Sequence, residues 1–298
     1  MKTKLYLALF CVAFFWGTTF LGIRIGVETI PPFILAGIRN LISGSIIFFY
    51  LYSQKKLEKV RPRQFLRAFI LSILMIVLAN GLTTYAEKYI TSGLASLIST
   101  FTPFCVLILN LIFGYEKLSV KTVLGILLGM FEIFLIYQSS INDLLIPEYR
   151  QGVCALLFAI LAWAIGTIFM KRGSENSLTM LMSVCVQMLI AGVVLTAVQF
   201  YFTPDISTAT WSLRSVFAMI YLALFGSVVG YVAFSYLITQ LPSTKVVVLS
   251  YINLVVALFL GWLILDEKIT SQIIVATIFI ISGVVIVNLK KAKNPVTL

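Results

Sequence analysis

The sequence predicts an all-α membrane protein: ten transmembrane helices arranged as two inverted five-helix repeats. Three observations carry this expectation. A chain of 298 residues that is 60% hydrophobic and 11% charged, with a mean hydropathy of +1.05, holds more apolar side chain than a water-soluble core can hide. The apolar residues fall in continuous runs of about 20, the length of a spanning helix, and do not alternate with polar residues as barrel strands do. Finally, the stretch that begins at Ser92, SGLASLISTFTPFCVLILNLIFGYEKLS, returns in character from Ser243 as STKVVVLSYINLVVALFLGWLILDEKIT. One offset lays Glu116-Lys117 on Glu267-Lys268, Ser92 on Ser243, Ser99 on Ser250 and Tyr85 on Tyr236. With small loop insertions, Trp16 also meets Trp163, and Phe33 to Gly44 meets Leu181 to Gly192, which sets Arg39 against Gln187.

Taken in order, the first repeat (residues 1–140) carries spans near Leu5 to Val27, Phe33 to Tyr52, Phe65 to Tyr85, Ser92 to Phe113 and Val120 to Gln138. The second (residues 150–290) carries them near Gly152 to Met170, Thr179 to Phe202, Leu213 to Leu237, Ser243 to Leu265 and Ile273 to Leu289, ahead of a short basic tail over residues 291–298. The N-terminus starts basic and apolar like a signal peptide, but its run continues to about Val27 without a small-residue cleavage site, so a retained first span is expected. Lysine and arginine collect on one side of this arrangement, densest between Lys55 and Arg67, whereas Arg24, Arg39, Lys88, Arg150, Arg214 and Lys268 fall on or near the other. The positive-inside rule then places both termini in the cytoplasm, in the cell (inner) membrane. Because five is odd, the second repeat enters the bilayer from the opposite side, the inverted arrangement typical of secondary transporters.

Composition also narrows the chemistry. The net charge of +11 sits in the short connections, where it orients the chain in the bilayer and does not suggest nucleic acid. Cys11, Cys105, Cys154 and Cys185 all lie in apolar runs without a CxxC pair, and read as small core residues. Histidine is absent, which removes imidazole proton relays and most zinc sites, and no phosphate loop or paired intramembrane carboxylate is seen. No enzyme activity, metal or cofactor is therefore expected.

Polar side chains inside spans are costly and usually face a cavity or another helix. Asn80, Thr84 and Glu87 recur at helical spacing in the third span, Ser96, Ser99, Pro103 and Asn110 form a stripe in the fourth, and Ser250 and Asn253 share a face in the ninth. Interhelical hydrogen bonding would explain any single serine or threonine as well as a solute path does, but a stripe that includes asparagine less well. Trp16 and Trp163 sit mid-span, away from the interfacial belts, where they would either line a cavity for a planar or cationic solute or pack between helices. The expected lining is Trp16, Asn80, Tyr85, Ser99, Trp163, Tyr231, Tyr236, Ser250 and Asn253. Candidates for a charge or coupling role are Arg39, Glu132 and Lys245. Arg39 could clamp a carboxylate or snorkel outward, and the structural role is favoured. Glu132 is the one carboxylate well inside a span, in the fifth, where a coupling role would need a burial-raised pKa.

The segments FFWGTTFLGIRIG, IRNLISG, YAEKYITSGLASLISTFTPF and SYINLVVALFLGWLILDEKI resemble the EamA-type branch of the drug/metabolite transporter superfamily, over essentially the whole chain. The resemblance implies a path lined by the first, third, fourth, sixth, eighth and ninth spans, and transport, often export, of small metabolites such as amino acids, or of drugs. The chain departs from the family pattern at Leu254, where proline is common, and at Lys245, where the residue is usually small or uncharged. The expected function is a secondary transporter that moves a small organic solute by alternating access. A non-transporting sensor or scaffold and a passive channel are the alternatives. Partners are the solute and the lipid bilayer, with a coupling proton and a homodimer left open.

Overall fold

The structure, a computed structural model, describes residues 2–115, 145–172, 178–203 and 210–269, together with 271, 273–275, 277 and 278. Among these residues all regular structure is helical, and eight helices are long and apolar enough to cross a membrane. They are α1 (Thr3–Gly26), α2 (Pro32–Ser53), α3 (Pro62–Ala86), α4 (Ser92–Ile112), α5 (Pro147–Lys171), α6 (Met180–Phe202), α7 (Leu213–Gln240) and α8 (Ser243–Leu265). The expected fifth span, most of the tenth and the basic tail lie outside the described residues, and Glu116, Lys117 and Glu132 lie there with them.

Three of the helices that begin earlier than hydropathy suggests do so for one reason. α2, α3 and α5 start at Pro32, Pro62 and Pro147. A first-turn amide has no partner within its helix, so proline loses nothing there and its fixed φ already suits the helix. α4 starts differently, with the Thr91 hydroxyl accepting from the Leu94 amide at 3.3 Å.

Small residues let the helices close on one another. α2 packs along α6, and a Cβ on Gly192 would stand 2.6 Å from Leu41 Cγ, while one on Gly44 would stand 2.8 Å from Leu189. Hydroxyls then bridge the helices. Ser43 Oγ donates to the Ala223 carbonyl (2.8 Å), Ser72 Oγ to the Gln187 carbonyl (2.7 Å) and Ser215 Oγ to the Ile25 carbonyl (2.9 Å), and Thr18 Oγ1 lies 2.6 Å from Tyr221 Oη. Each such bond meets the demand of a polar group where lipid or packed side chains offer no water.

Two irregularities shape the middle of the bundle. α3 is π-wound over Ser72–Asn80 and α7 over Leu222–Tyr231. α4 breaks between Ser99 and Thr102, ahead of Pro103, and α8 breaks between Val247 and Ser250, where no proline is present. At the second break the Tyr251 amide donates to the Val248 carbonyl at 3.2 Å and the Ile252 amide to the Leu249 carbonyl at 3.0 Å, tight turns that carry the chain into the resumed helix.

Candidate functional site

All eight spans contribute side chains to one central cavity of about 160 Å³. Its aromatic wall comes from three helices. Trp16 on α1 meets Trp163 on α5 edge to face, with centroids 5.2 Å apart, and Phe234 on α7 lies 5.0 Å from both rings. Tyr231 stands edge-on to Trp163 at 6.2 Å. Perpendicular rings place the positive edge of one over the negative face of the other, which fixes the cluster beyond simple area burial.

The glycine pair Gly226 and Gly230 seats this wall. Trp16 Nε1 donates to the Gly226 carbonyl at 3.1 Å, and a Cβ on Gly230 would overlap the Trp16 indole. A Cβ on Gly226 would come within 2.7 Å of Thr19 Cγ2. Both glycines fall in the π-wound segment of α7, so winding and side-chain size together admit α1.

Of the expected lining residues, Trp16, Asn80, Ser99, Trp163, Tyr231, Ser250 and Asn253 border the cavity, and so does Arg39. Tyr85, Tyr236 and Lys245 do not. Tyr85 stacks on Phe33 with centroids 5.7 Å apart, Tyr236 packs into the apolar core around α7, and Lys245 is exposed in the first segment of α8. Several bordering groups already spend their hydrogen bonds. Ser99 Oγ donates to its own helix at Ala95 (2.7 Å), and Tyr231 Oη donates to Gln187 Oε1 (2.8 Å). With its nitrogen turned toward α1, Asn253 donates to the Ala13 carbonyl at 2.8 Å and so ties α8 to α1.

Other groups on the wall are unspent. Asn80 Oδ1, Ser250 Oγ and both Nε and Nη1 of Arg39 are buried without a partner among the described residues. Arg39 is 3% exposed, so its guanidinium stays inside and does not take the outward reach that the sequence left open. The reason is packing: the helix face that carries it is turned to the interior, with the neighbouring Asn40 and Ser43 buried as well, and lipid is out of reach.

Beyond Arg39, at the same end of the bundle, lies a cluster that sequence reading did not assemble. Arg24 Nη1 donates to the backbone carbonyls of Glu87 (2.6 Å) and Lys88 (3.1 Å). Glu87, just past the end of α3, is wholly buried, and neither carboxylate oxygen has a partner among the described residues. Burial pushes its carboxyl well above the usual range, the nearby Glu267 adds to the rise, and Arg24 and Arg39 oppose it. Glu267, just past α8, caps the start of α4: Oε1 accepts from the Ser92 amide (2.8 Å), and Oε2 from Ser92 Oγ (2.9 Å) and the Gly93 amide (3.0 Å). The signal for this latch was present in the matched pairing of Ser92 and Glu267 with Ser243 and Glu116, but a sequence match does not say which members touch.

With helices of membrane-crossing length gathered round a central cavity, the chain has the form of a multi-span membrane protein. It belongs to the EamA-like transporter family, whose profile matches residues 3–138 and 150–289. The expected kinship with the EamA-type branch of the drug/metabolite transporter superfamily thus stands. The chain is 33% identical over 294 residues to the protein described as "Uncharacterized inner membrane transporter YedA" of Escherichia coli, covering 98% of this chain and 92% of that one. It is 25% identical to "Uncharacterized transporter YoaV" of Bacillus subtilis (94% and 95% covered) and 30% identical to "Protein PagO" of Salmonella typhimurium (77% and 74% covered). A solved crystal structure shares the fold with a TM-score of 0.72 at 14% identity, covering 96% of this chain and 97% of the other.

Proposed function

We propose that the protein is a secondary carrier that moves a small organic solute, outward, through the central cavity by alternating access between two inverted five-helix halves. The observation that carries this reading is the cavity itself: about 160 Å³, walled by aromatic rings and supplied with unspent polar atoms at mid-bundle. Matched irregularities support the duplication. The two π-wound segments occupy corresponding places in α3 and α7, and the two broken helices, α4 and α8, correspond likewise. Broken helices beside a central site are the usual setting of a solute pathway, since irregular backbone at membrane depth is tolerated where it lines a cavity. The names of the relatives fit an inner-membrane location, and the spread of lysine and arginine fits cytoplasmic termini.

Reconstituted vesicles test the reading. A panel of metabolites should include solutes whose uptake saturates and is accelerated by the same solute on the far side; a channel would show neither. Trp16→Ala and Asn253→Ala should each lower that flux about tenfold at unchanged protein content, since each removes a contact between α1 and another wall of the cavity. Absence of any protein-dependent movement across the panel would overturn the proposal.

A further inference from the structure

The lining of the cavity is unequal in charge, and the inequality bears on what can enter. Among the described residues Arg39 is the one charged side chain on the wall, and no carboxylate borders the space. A cationic solute would meet no counter-ion there. The aromatic wall gives it little, because Trp16, Trp163 and Tyr231 meet edge to face, so that ring faces a cation would need are already covered by the edges of their neighbours.

The guanidinium is in the opposite position. It is 3% exposed, two of its nitrogens have no partner, and among the described residues the only ion pair is the exposed one between Arg214 and Glu28. Glu87 lies close enough to feel Arg39, yet it is not joined to it and does not border the cavity. A buried charge without a mate is costly to keep, and its planar array of N–H donors matches a carboxylate. A phosphate dianion would call for more than one cation and more donors than this wall holds. Asn80 and Ser250, the other unspent groups, suit a second polar atom on a monoanion.

Building on the carrier reading above, we infer that the solute is a small organic monocarboxylate: its carboxylate docks on Arg39 and its apolar body lies against Trp16, Trp163 and Phe234. Arg39 is then a substrate-binding residue that also selects for charge.

The full chain, purified in detergent, is titrated calorimetrically with butyrate, benzoate and 3-phenylpropionate, each alongside its amide and the amine of matching skeleton. At least one carboxylate is expected to bind about tenfold or more tighter than its amide, and the amines weakest, as a charge-assisted contact requires. Arg39→Gln should erase that preference while amide binding stays within about threefold, a measure that also reports folding; Arg39→Lys should restore part of it. Arg63→Gln, which removes an exposed cation from the first turn of α3, far along the chain from the cavity-lining residues of that helix, should leave the preference intact and so excludes general attraction to a basic protein. If Arg39→Gln does not fold, the wild-type order of carboxylate, amide and amine decides alone. Carboxylates that bind no better than amides, or a preference that survives in Arg39→Gln, would overturn the inference. Vesicles that move other solutes would then leave the carrier reading standing, whereas vesicles that move nothing would remove both.

Discussion

Replacing Glu267 with glutamine probes the contact that joins the end of α8 to the start of α4. The carboxylate accepts three hydrogen bonds, two of them from the first amides of a helix. A charge-assisted bond contributes about 1.5–3 kcal/mol when shielded, and a carboxylate at a helix N-terminus about 0.3–1 kcal/mol more. Glutamine keeps one acceptor oxygen, turns a donor toward donors and loses the charge. Because Glu267 is half-buried and Thr91 still caps Leu94, the local loss should be about 2 kcal/mol, not the full sum. At 1.4 kcal/mol per tenfold, that is about a 30-fold rise in local opening. Amide hydrogen exchange over residues 92–95 should therefore speed up about 30-fold, while exchange along α2 and α6 stays unchanged. Exchange at residues 92–95 within about threefold of wild type would show that the latch does not hold the helix start.

Three further substitutions address other contacts. Gly192→Ala would place a methyl 2.6 Å from Leu41 Cγ and 2.9 Å from the Leu41 amide, so a loss of about 1–3 kcal/mol is expected as a lower midpoint in thermal melts; an unchanged midpoint would deny the close approach of α2 and α6. Tyr231→Phe removes the donor to Gln187 Oε1 and strands a buried acceptor, costing about 1–2 kcal/mol by the same measurement, with no loss expected if that bond is absent. Glu87 supplies a pH prediction. Its raised pKa keeps the proton bound in the folded chain where the unfolded chain releases it, so stability falls as pH rises above the usual carboxylate range. Between about pH 5 and about pH 8 the wild-type melting midpoint should decline more steeply than that of Glu87→Gln, and parallel slopes would contradict the buried carboxyl.

The membrane class and most helix positions were legible because bilayer thickness dictates the length of an apolar run, whatever the helix then packs against. Helix starts at Pro32, Pro62 and Pro147 could have been read as well, had proline been weighed above hydropathy. The fate of Arg39 could not. Whether a long cation reaches outward or stays inside depends on which helix face meets protein, and one side of α2 is claimed by α6 and α7. Tyr85 and Tyr236 illustrate a second limit. Both follow π-wound segments, in which i→i+5 bonding takes more residues per turn and so rotates what comes after relative to an ideal helix. A repeat match aligns such residues with one another, but it carries no information about the direction they face.

The two mid-bundle breaks differ in what would be needed to undo them. In α4 the resumed helix carries Pro103 in its first turn, a residue that can never supply the missing donor, so that bend is built into the covalent chain. In α8 every residue from Val246 to Leu254 retains its N–H, and the departure from regular winding is set by neighbours alone. One arm of the molecule thus has a fixed elbow. The other has a joint that can straighten without stranding an amide, and its pivot lies beside the unspent Ser250 hydroxyl on the cavity wall.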